Sequence, residues 1–394
     1  MEPKKLPELD ILRIISILIV VVLIHIPNNY AFNFAADYSP YMGFLLHTLA
    51  IDVAMGSFVF LSGFGLYLNK NNRNINNTKK LFGFLKKRFL RIFPLYWIAL
   101  ILFIIFFGYW DMGFFYILAH IFGLQIIVSL TYGWAIWTLW FIGIIVIYYL
   151  IFIILSFTGS IKWIIPTALI ILLLFAIIHI YSGFNEYRFF YYYLLFILGI
   201  ISANIYTSSQ YTRVKEFIQN KSKYLPLIIG FVTAFLSIVI YLGLTQFCFS
   251  YFNSEYGTTF LFLILDLQPG IIESTVIILL INLVIIVYII FIVSLSYAFI
   301  KLFNLLLPRI KINKISSTIA YSTFSVYLFH RIFLIIYNFI LSEGLNLDIY
   351  AFENLYLVLL FVPFIFLFSY FIQKAYDRII KRFITHKNQN ILDR

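Results

Sequence analysis

The sequence predicts an all-α integral membrane protein: a bundle of about ten transmembrane helices, both termini cytoplasmic, with outward-facing re-entrant or interfacial segments. Three observations predict it. The 394 residues are 63% hydrophobic and only 11% charged, more apolar surface than a soluble domain of that length can bury, so the solvent is lipid. Apolar stretches recur at close to the roughly 20 helical residues that a bilayer requires. Basic residues gather between those stretches on one side only, as they do on cytoplasmic faces.

In chain order the predicted spans are 11–27, 45–68, 92–109, 135–157, 161–180, 189–206, 225–244, 274–300, 320–341 and 354–373. No alternating strand pattern competes with them. The opening M-E-P-K-K-L-P-E-L-D and the run after it read as a retained first helix. Arg13 lies inside that run, no small-x-small cleavage site follows it, and more spans come later. Two further apolar runs, Phe114–Leu130 and Thr258–Leu267, are settled by charge. With the N-terminus inside, Arg188 is the only one of the 28 Lys and Arg to fall in an outer segment, Arg13 and Arg331 lie within spans, and every other one falls inside. A crossing by Phe114–Leu130 would turn the later basic clusters outward, so both runs are read as re-entrant or interfacial pieces. Residues 1–394 then form a single membrane domain. Asn69–Thr78 reads as a flexible inner loop, and about 245–273 as a long outer loop rich in aromatic and acidic residues.

The net charge of +12 belongs to orientation in a membrane, so membrane lipid is an expected partner and nucleic acid is not. The single cysteine, Cys248, excludes an internal disulfide and any cysteine-based metal site. No metal and no permanently bound cofactor is expected. Walker, H-E-x-x-H, G-x-S-x-G and Rossmann patterns are absent from the sequence. The expected location is the plasma membrane, as a multi-pass protein.

The densest positive charge is K-K-L-F-G-F-L-K-K-R-F-L-R-I-F-P-L-Y, residues 79–96. Its simplest role is to set topology and touch anionic lipid. A sharper role is to hold a cytosolic polyphosphate, through Lys86, Lys87, Arg88 and Arg91.

Ionisable residues within spans are costly and point to function. They are Arg13, His25, Asp52, His330 and Arg331. His25 is either a structural imidazole bonded to a carbonyl freed by Pro27 or a general base. Arg13 stands twelve residues earlier, about 18 Å along a straight helix and rotated by roughly 120°. The two residues cannot touch, but they can serve opposite ends of one cavity. Asp52 shares the depth of His25 and is its nearest candidate partner; the alternative is a protonated carboxyl bonded between helices. Arg331 is expected to face a watery cavity or a carboxylate. His47, His120 and His179 are expected to be structural, and W-T-L-W at 137–140 an interfacial belt.

Four motifs taken together resemble the acyltransferase 3 family of integral membrane proteins. They are L-D-I-L-R-I-I-S-I-L-I-V-V-V-L-I-H (9–25), F-V-F-L-S-G-F (58–64), K-K-R-F-L-R-I-F-P-L-Y (86–96) and Y-S-T-F-S-V-Y-L-F-H (321–330). W-x-L-W-F at 137–141 is a weaker match. The resemblance implies about ten membrane helices and transfer of an acyl group, usually acetyl, from cytosolic acyl-CoA to a hydroxyl of a glycan or related acceptor. It implies that His25 is the essential histidine and Arg13 the first-helix arginine, with Arg88 and Arg91 the basic pair.

Two departures stand out. The family usually places ten residues between the arginine and the histidine, and eleven stand here, which rotates them apart unless a π-bulge absorbs the extra one. Gly56 stands where many relatives have Asp or Pro, with Asp52 one turn earlier.

The combined expectation is an O-acetyltransferase-like enzyme acting on a cell-surface glycan or its lipid-linked precursor. His25 and Asp52 are the catalytic candidates. Arg13, Lys86, Lys87, Arg88 and Arg91 are candidates for the donor, acetyl-CoA or another acyl-CoA. His330, Arg331 and Ser62 are secondary candidates. An exporter of a glycan or other polar solute and a polytopic sensor or scaffold are the alternatives. The sequence shows neither an inverted repeat nor paired broken helices, which disfavours the exporter.

Overall fold

A backbone in lipid must satisfy every N–H and C=O within its own segment, and the described residues are helical almost throughout, with no strand among them. The computed structural model describes residues 6–26, 49–109, 112–132, 136, 138–157, 159–182, 187–222, 224–253, 271–306, 312–347 and 355–392. Helix α1 (Pro7–Leu18) runs directly into a π-helical segment (Ile19–His25). Helices α2 (Ala50–Leu68) and α3 (Thr78–Phe107) follow, then two short helices, α4 (Phe114–Ile121) and α5 (Gln125–Tyr132). Next come α6 (Trp140–Ser156), α7 (Ile161–Ser182), α8 (Tyr187–Tyr206) and α9 (Ser209–Lys221). The last four are α10 (Leu225–Asn253), α11 (Ile271–Leu306), α12 (Ile312–Phe339) and α13 (Leu355–Leu392).

Eight of the described helices are long and apolar enough to cross a membrane: α2, α3, α7, α8 and α10 to α13. The two remaining predicted spans are the continuous α1–π rod and the 17-residue α6. Arg13 lies close enough to Arg91 for their charges to interact, and Tyr376 in the second half of α13 donates to the Leu90 carbonyl. The first and the last helix therefore both reach the basic part of α3.

Several boundaries differ from expectation. The basic stretch is not a loop before a span at 92–109 but the first turns of α3 itself. Asn77 caps that helix, its side chain accepting from Lys80 N at 2.8 Å, and the helix absorbs Pro94. A sequence reading stops at charge and proline, whereas good helix formers carry the helix on into water. Asn69–Thr78 is held rather than loose. The Asn72 amide donates to Leu66 O at 3.0 Å, Arg73 Nε donates to Tyr67 O at 2.8 Å, and the Ile75 amide reaches Ser156 O.

Helix α6 begins at Trp140 rather than 135, and α10 stays helical to Asn253. The expected loop at 245–273 thus shrinks from both sides. Thr258–Leu267, His47 and Trp137 lie outside the described residues.

Phe114–Leu130 folds as α4 and α5, broken at Gly123, whose φ of 69° is a left-handed value that suits glycine. Each helix has eight residues, about 12 Å of rise, too short to cross. The piece is fastened to α3 by Tyr96 Oη donating to His120 O (2.7 Å) and Trp97 Nε1 donating to Ile121 O (2.8 Å). His120 is structural, as expected: Nδ1 lies 2.9 Å from Tyr116 O, and Nε2 accepts from the Ile136 amide at 3.0 Å. At the end of the expected belt at 137–140, the Trp140 ring stacks against Tyr192 and under the Arg188 guanidinium.

Helices α2 and α8 pack backbone to backbone. A Cβ at Gly63 would lie 2.2 Å from Phe196 O, and one at Gly199 would lie 2.2 Å from Phe60 O. Small residues allow this approach in lipid, where packing rather than water drives helix association. Gly56 belongs to the same seam. A Cβ there would meet Leu195 at 2.8 Å and Ile285 at 2.9 Å, so a larger residue would have to displace both side chains.

Candidate active site

The first helix decides the geometry. An α-helix turns about 100° per residue. A π turn takes up one residue more than an α turn, so the π segment at Ile19–His25 removes roughly that much rotation. It absorbs the eleventh intervening residue and returns Arg13 and His25 to within about 20° of one helix face. The two remain on different levels, and each has a separate neighbourhood.

At the basic end, Arg13 donates to Asp10 in a 2.7 Å ion pair, the i, i+3 geometry that the sequence L-D-I-L-R provides. Arg91 and Tyr149 lie within electrostatic reach of Arg13. Tyr149 is the hub. Ser62 Oγ donates to its hydroxyl at 3.3 Å, and the Arg88 guanidinium sits 5.4 Å over its ring and 5.4 Å over that of Phe84. Arg88 Nε is buried without a hydrogen-bond partner. Lys86, Lys87 and Arg91 are exposed.

The structure thus gathers Ser62, Arg88 and, within electrostatic reach, Arg13 around one tyrosine, with Arg91 beside the two arginines. An apolar groove of about 540 Å³ adjoins this cluster, with Arg88, Tyr149 and Lys86 in its wall beside Phe82, Phe89, Phe122 and Leu150. Arg13 and Arg91 do not line it.

On the upper level, the His25 ring lies against His330, with centroids 4.8 Å apart. His25 Nδ1 is buried and has no hydrogen-bond partner, although the residue as a whole keeps some exposure. His330 is fully buried. Its Nδ1 is 2.9 Å from both Val326 O and Tyr327 O, and its Nε2 is buried without a partner. Tyr327 donates to the Thr138 carbonyl and packs against Phe141. Arg331 is buried, with its guanidinium 5.5 Å over the Phe107 ring.

Asp52 is the clear correction. Its carboxylate accepts from Tyr191 Oη at 2.8 Å and Tyr192 Oη at 3.0 Å, and Arg188 lies within electrostatic reach. It fastens α2 to α8 and does not bond His25. Equal depth along two helices fixes one coordinate only; the packing of α1 against α12 decides which side chain His25 meets. Sequence reasoning also missed Asp10, Tyr149, Tyr191 and Tyr192. Asp10 carried a signal in its spacing, while the three tyrosines are indistinguishable among thirty.

Among the described residues no cluster of His, Cys, Asp and Glu can hold a metal ion. A buried imidazole pair above a cluster of guanidiniums is equipped for proton transfer near a bound polyanion. Comparison with curated proteins and with solved structures returned no match. A family profile described as an acyltransferase domain matches residues 6–374, nearly the whole chain. With its apolar helices and this coverage, the chain is a multi-pass membrane acyltransferase that belongs to the acyltransferase 3 family.

Proposed function

We propose that the protein O-acylates, most simply O-acetylates, a hydroxyl of a cell-surface glycan or its lipid-linked precursor, using cytosolic acyl-CoA. The observation that carries this reading is the π segment. It sets Arg13, in the basic cluster, and His25, beside His330, on one face of one helix about 16 Å apart. That is a distance which an extended pantetheine arm can cover. Acyl-CoA is a co-substrate here, and no resident cofactor enters the mechanism.

The basic end faces the cytoplasm, with ten crossings and both termini inside. The α4–α5 piece and the acidic segments face outward, in the plasma membrane. Arg13, Arg88 and Arg91, with Lys86 and Lys87 at the rim, hold the 3′-phosphate and pyrophosphate of the donor through charge-assisted bonds. His25 removes the proton of the acceptor hydroxyl. The oxygen attacks the thioester carbonyl, the new C–O bond forms and the C–S bond breaks. The CoA thiolate leaves and takes the proton back from His25 as a thiol. Asp52 acts through structure, holding the wall formed by α2 and α8.

Mass spectrometry of surface glycans from cells with and without the protein tests the reading. One acyl group of mass difference on the glycan is expected. Identical acylation with a changed amount of exported glycan would favour the exporter instead. The orientation has its own test, because native Cys248 is buried. In intact cells an impermeant thiol reagent is expected to label Glu343→Cys and to leave Lys87→Cys unlabelled until the membrane is opened. The reverse pattern would remove the cytosolic donor site.

A further inference from the structure

We infer that His330 is the positioning residue that sets the tautomer of His25, the role that depth along the helices had suggested for Asp52. The inference rests on the acyl-transfer reading above. A backbone carbonyl can only accept a hydrogen bond. His330 Nδ1 lies 2.9 Å from two of them, Val326 O and Tyr327 O, so Nδ1 carries the hydrogen. In the neutral ring Nε2 is then a lone pair, and it is buried without a partner.

Against that ring, at 4.8 Å between centroids, lies an imidazole whose own Nδ1 is buried and unpartnered. A buried polar atom left unpaired is unfavourable, and here two such atoms of complementary capacity belong to touching rings. The terminal torsion of histidine is broad, so a modest rotation of His25 joins them. His25 Nδ1–H then donates to His330 Nε2, and His25 Nε2 keeps the lone pair that takes the acceptor's proton.

The order of the pair follows from burial. His25 retains exposure and His330 has none, so His25 meets the substrate and His330 acts through it. No net proton moves to His330. Its bond orients the imidazole and stabilises the charge that His25 acquires, which is the part a carboxylate plays for other catalytic histidines. The late Y-L-F-H motif thereby completes the site begun by the first helix.

The test uses membrane vesicles carrying the full chain, with isotope-labelled acetyl-CoA as donor probe and counting of label in the extracted glycan. Three variants separate orientation from structure, each normalised to folded protein by thermal unfolding. His330→Phe keeps bulk and loses both nitrogens. His330→Asn places an amide near Nδ1 and keeps the bond to the backbone. His330→Gln places a carbonyl near Nε2 and keeps the acceptor.

Phe and Asn are expected to lower kcat by about 10²-fold, the lower edge of a general base's contribution, with KM for acetyl-CoA unchanged. Gln is expected to recover most of that loss. Wild-type turnover in all three, or rescue by Asn and not by Gln, would overturn the inference, since the second pattern marks a purely structural bond to α12. His25→Ala run in the same assay keeps the two levels apart. Full activity there would sink the acyl-transfer mechanism, whereas an inactive His25→Ala beside a fully active His330→Phe would sink only the pairing.

Discussion

His25→Ala is expected to abolish measurable acyl transfer while leaving acyl-CoA binding at wild-type affinity. General-base removal costs about 10²–10⁴ in rate, and among the described residues no neighbour is placed to take over the task. His330 is fully buried with Nδ1 committed to two carbonyls, and Asp52 is occupied by two tyrosine hydroxyls. Donor binding survives because the guanidinium cluster lies about 16 Å along the helix. The measurement is paired: label transfer in vesicles, and equilibrium binding of acyl-CoA to purified protein. Histidine deletion beside another imidazole leaves a small cavity, so His25→Gln serves as the variant that fills it. Wild-type transfer by folded His25→Ala would remove His25 as the base and leave His330 as the remaining candidate.

The fold class was legible because lipid constrains sequence more strictly than water does. Twenty apolar residues in a row have few other uses, and the sidedness of Lys and Arg is an accounting that needs no contacts. The helix ends were not legible, because they lie in water, where charge and Pro94 no longer mark a boundary. The site was legible in part. Arg13 and His25 stood out as ionisable groups in an apolar run, and the eleven-residue interval between them announced that something irregular had to intervene. The π segment answers that irregularity within the first helix itself. The partner of His25 was not legible, since it depends on the rotation of α12 about its own axis. Asp52 and His330 are both near the right depth, and only packing tells them apart. Tyr149 was beyond reach for a related reason. A tyrosine that gathers two arginines and a serine has the same letter as one that faces lipid.

Loss of either cluster arginine is expected to weaken acyl-CoA binding tenfold or more, each charge-assisted contact contributing roughly 1.5–3 kcal/mol. The structure separates the two positions. Arg91 is exposed, so Arg91→Ala removes charge with little packing, and Arg91→Lys should restore much of the affinity. Arg88 lies over the rings of Phe84 and Tyr149 with Nε buried and unpartnered. A lysine there keeps the charge but loses the planar stacking and the fork that grips a phosphate in two places. Arg88→Lys should therefore recover only a small part of the binding lost in Arg88→Ala, and the contrast between the two lysine variants is the informative quantity. Titration of acyl-CoA against the same protein in which His25 is intact provides the affinity, and thermal unfolding without donor provides the fold control. Unchanged donor affinity in both alanine variants would return residues 79–96 to an electrostatic anchor for the membrane surface. It would also move the donor's phosphates away from the end of the bundle where Arg13, Arg88 and Arg91 lie together.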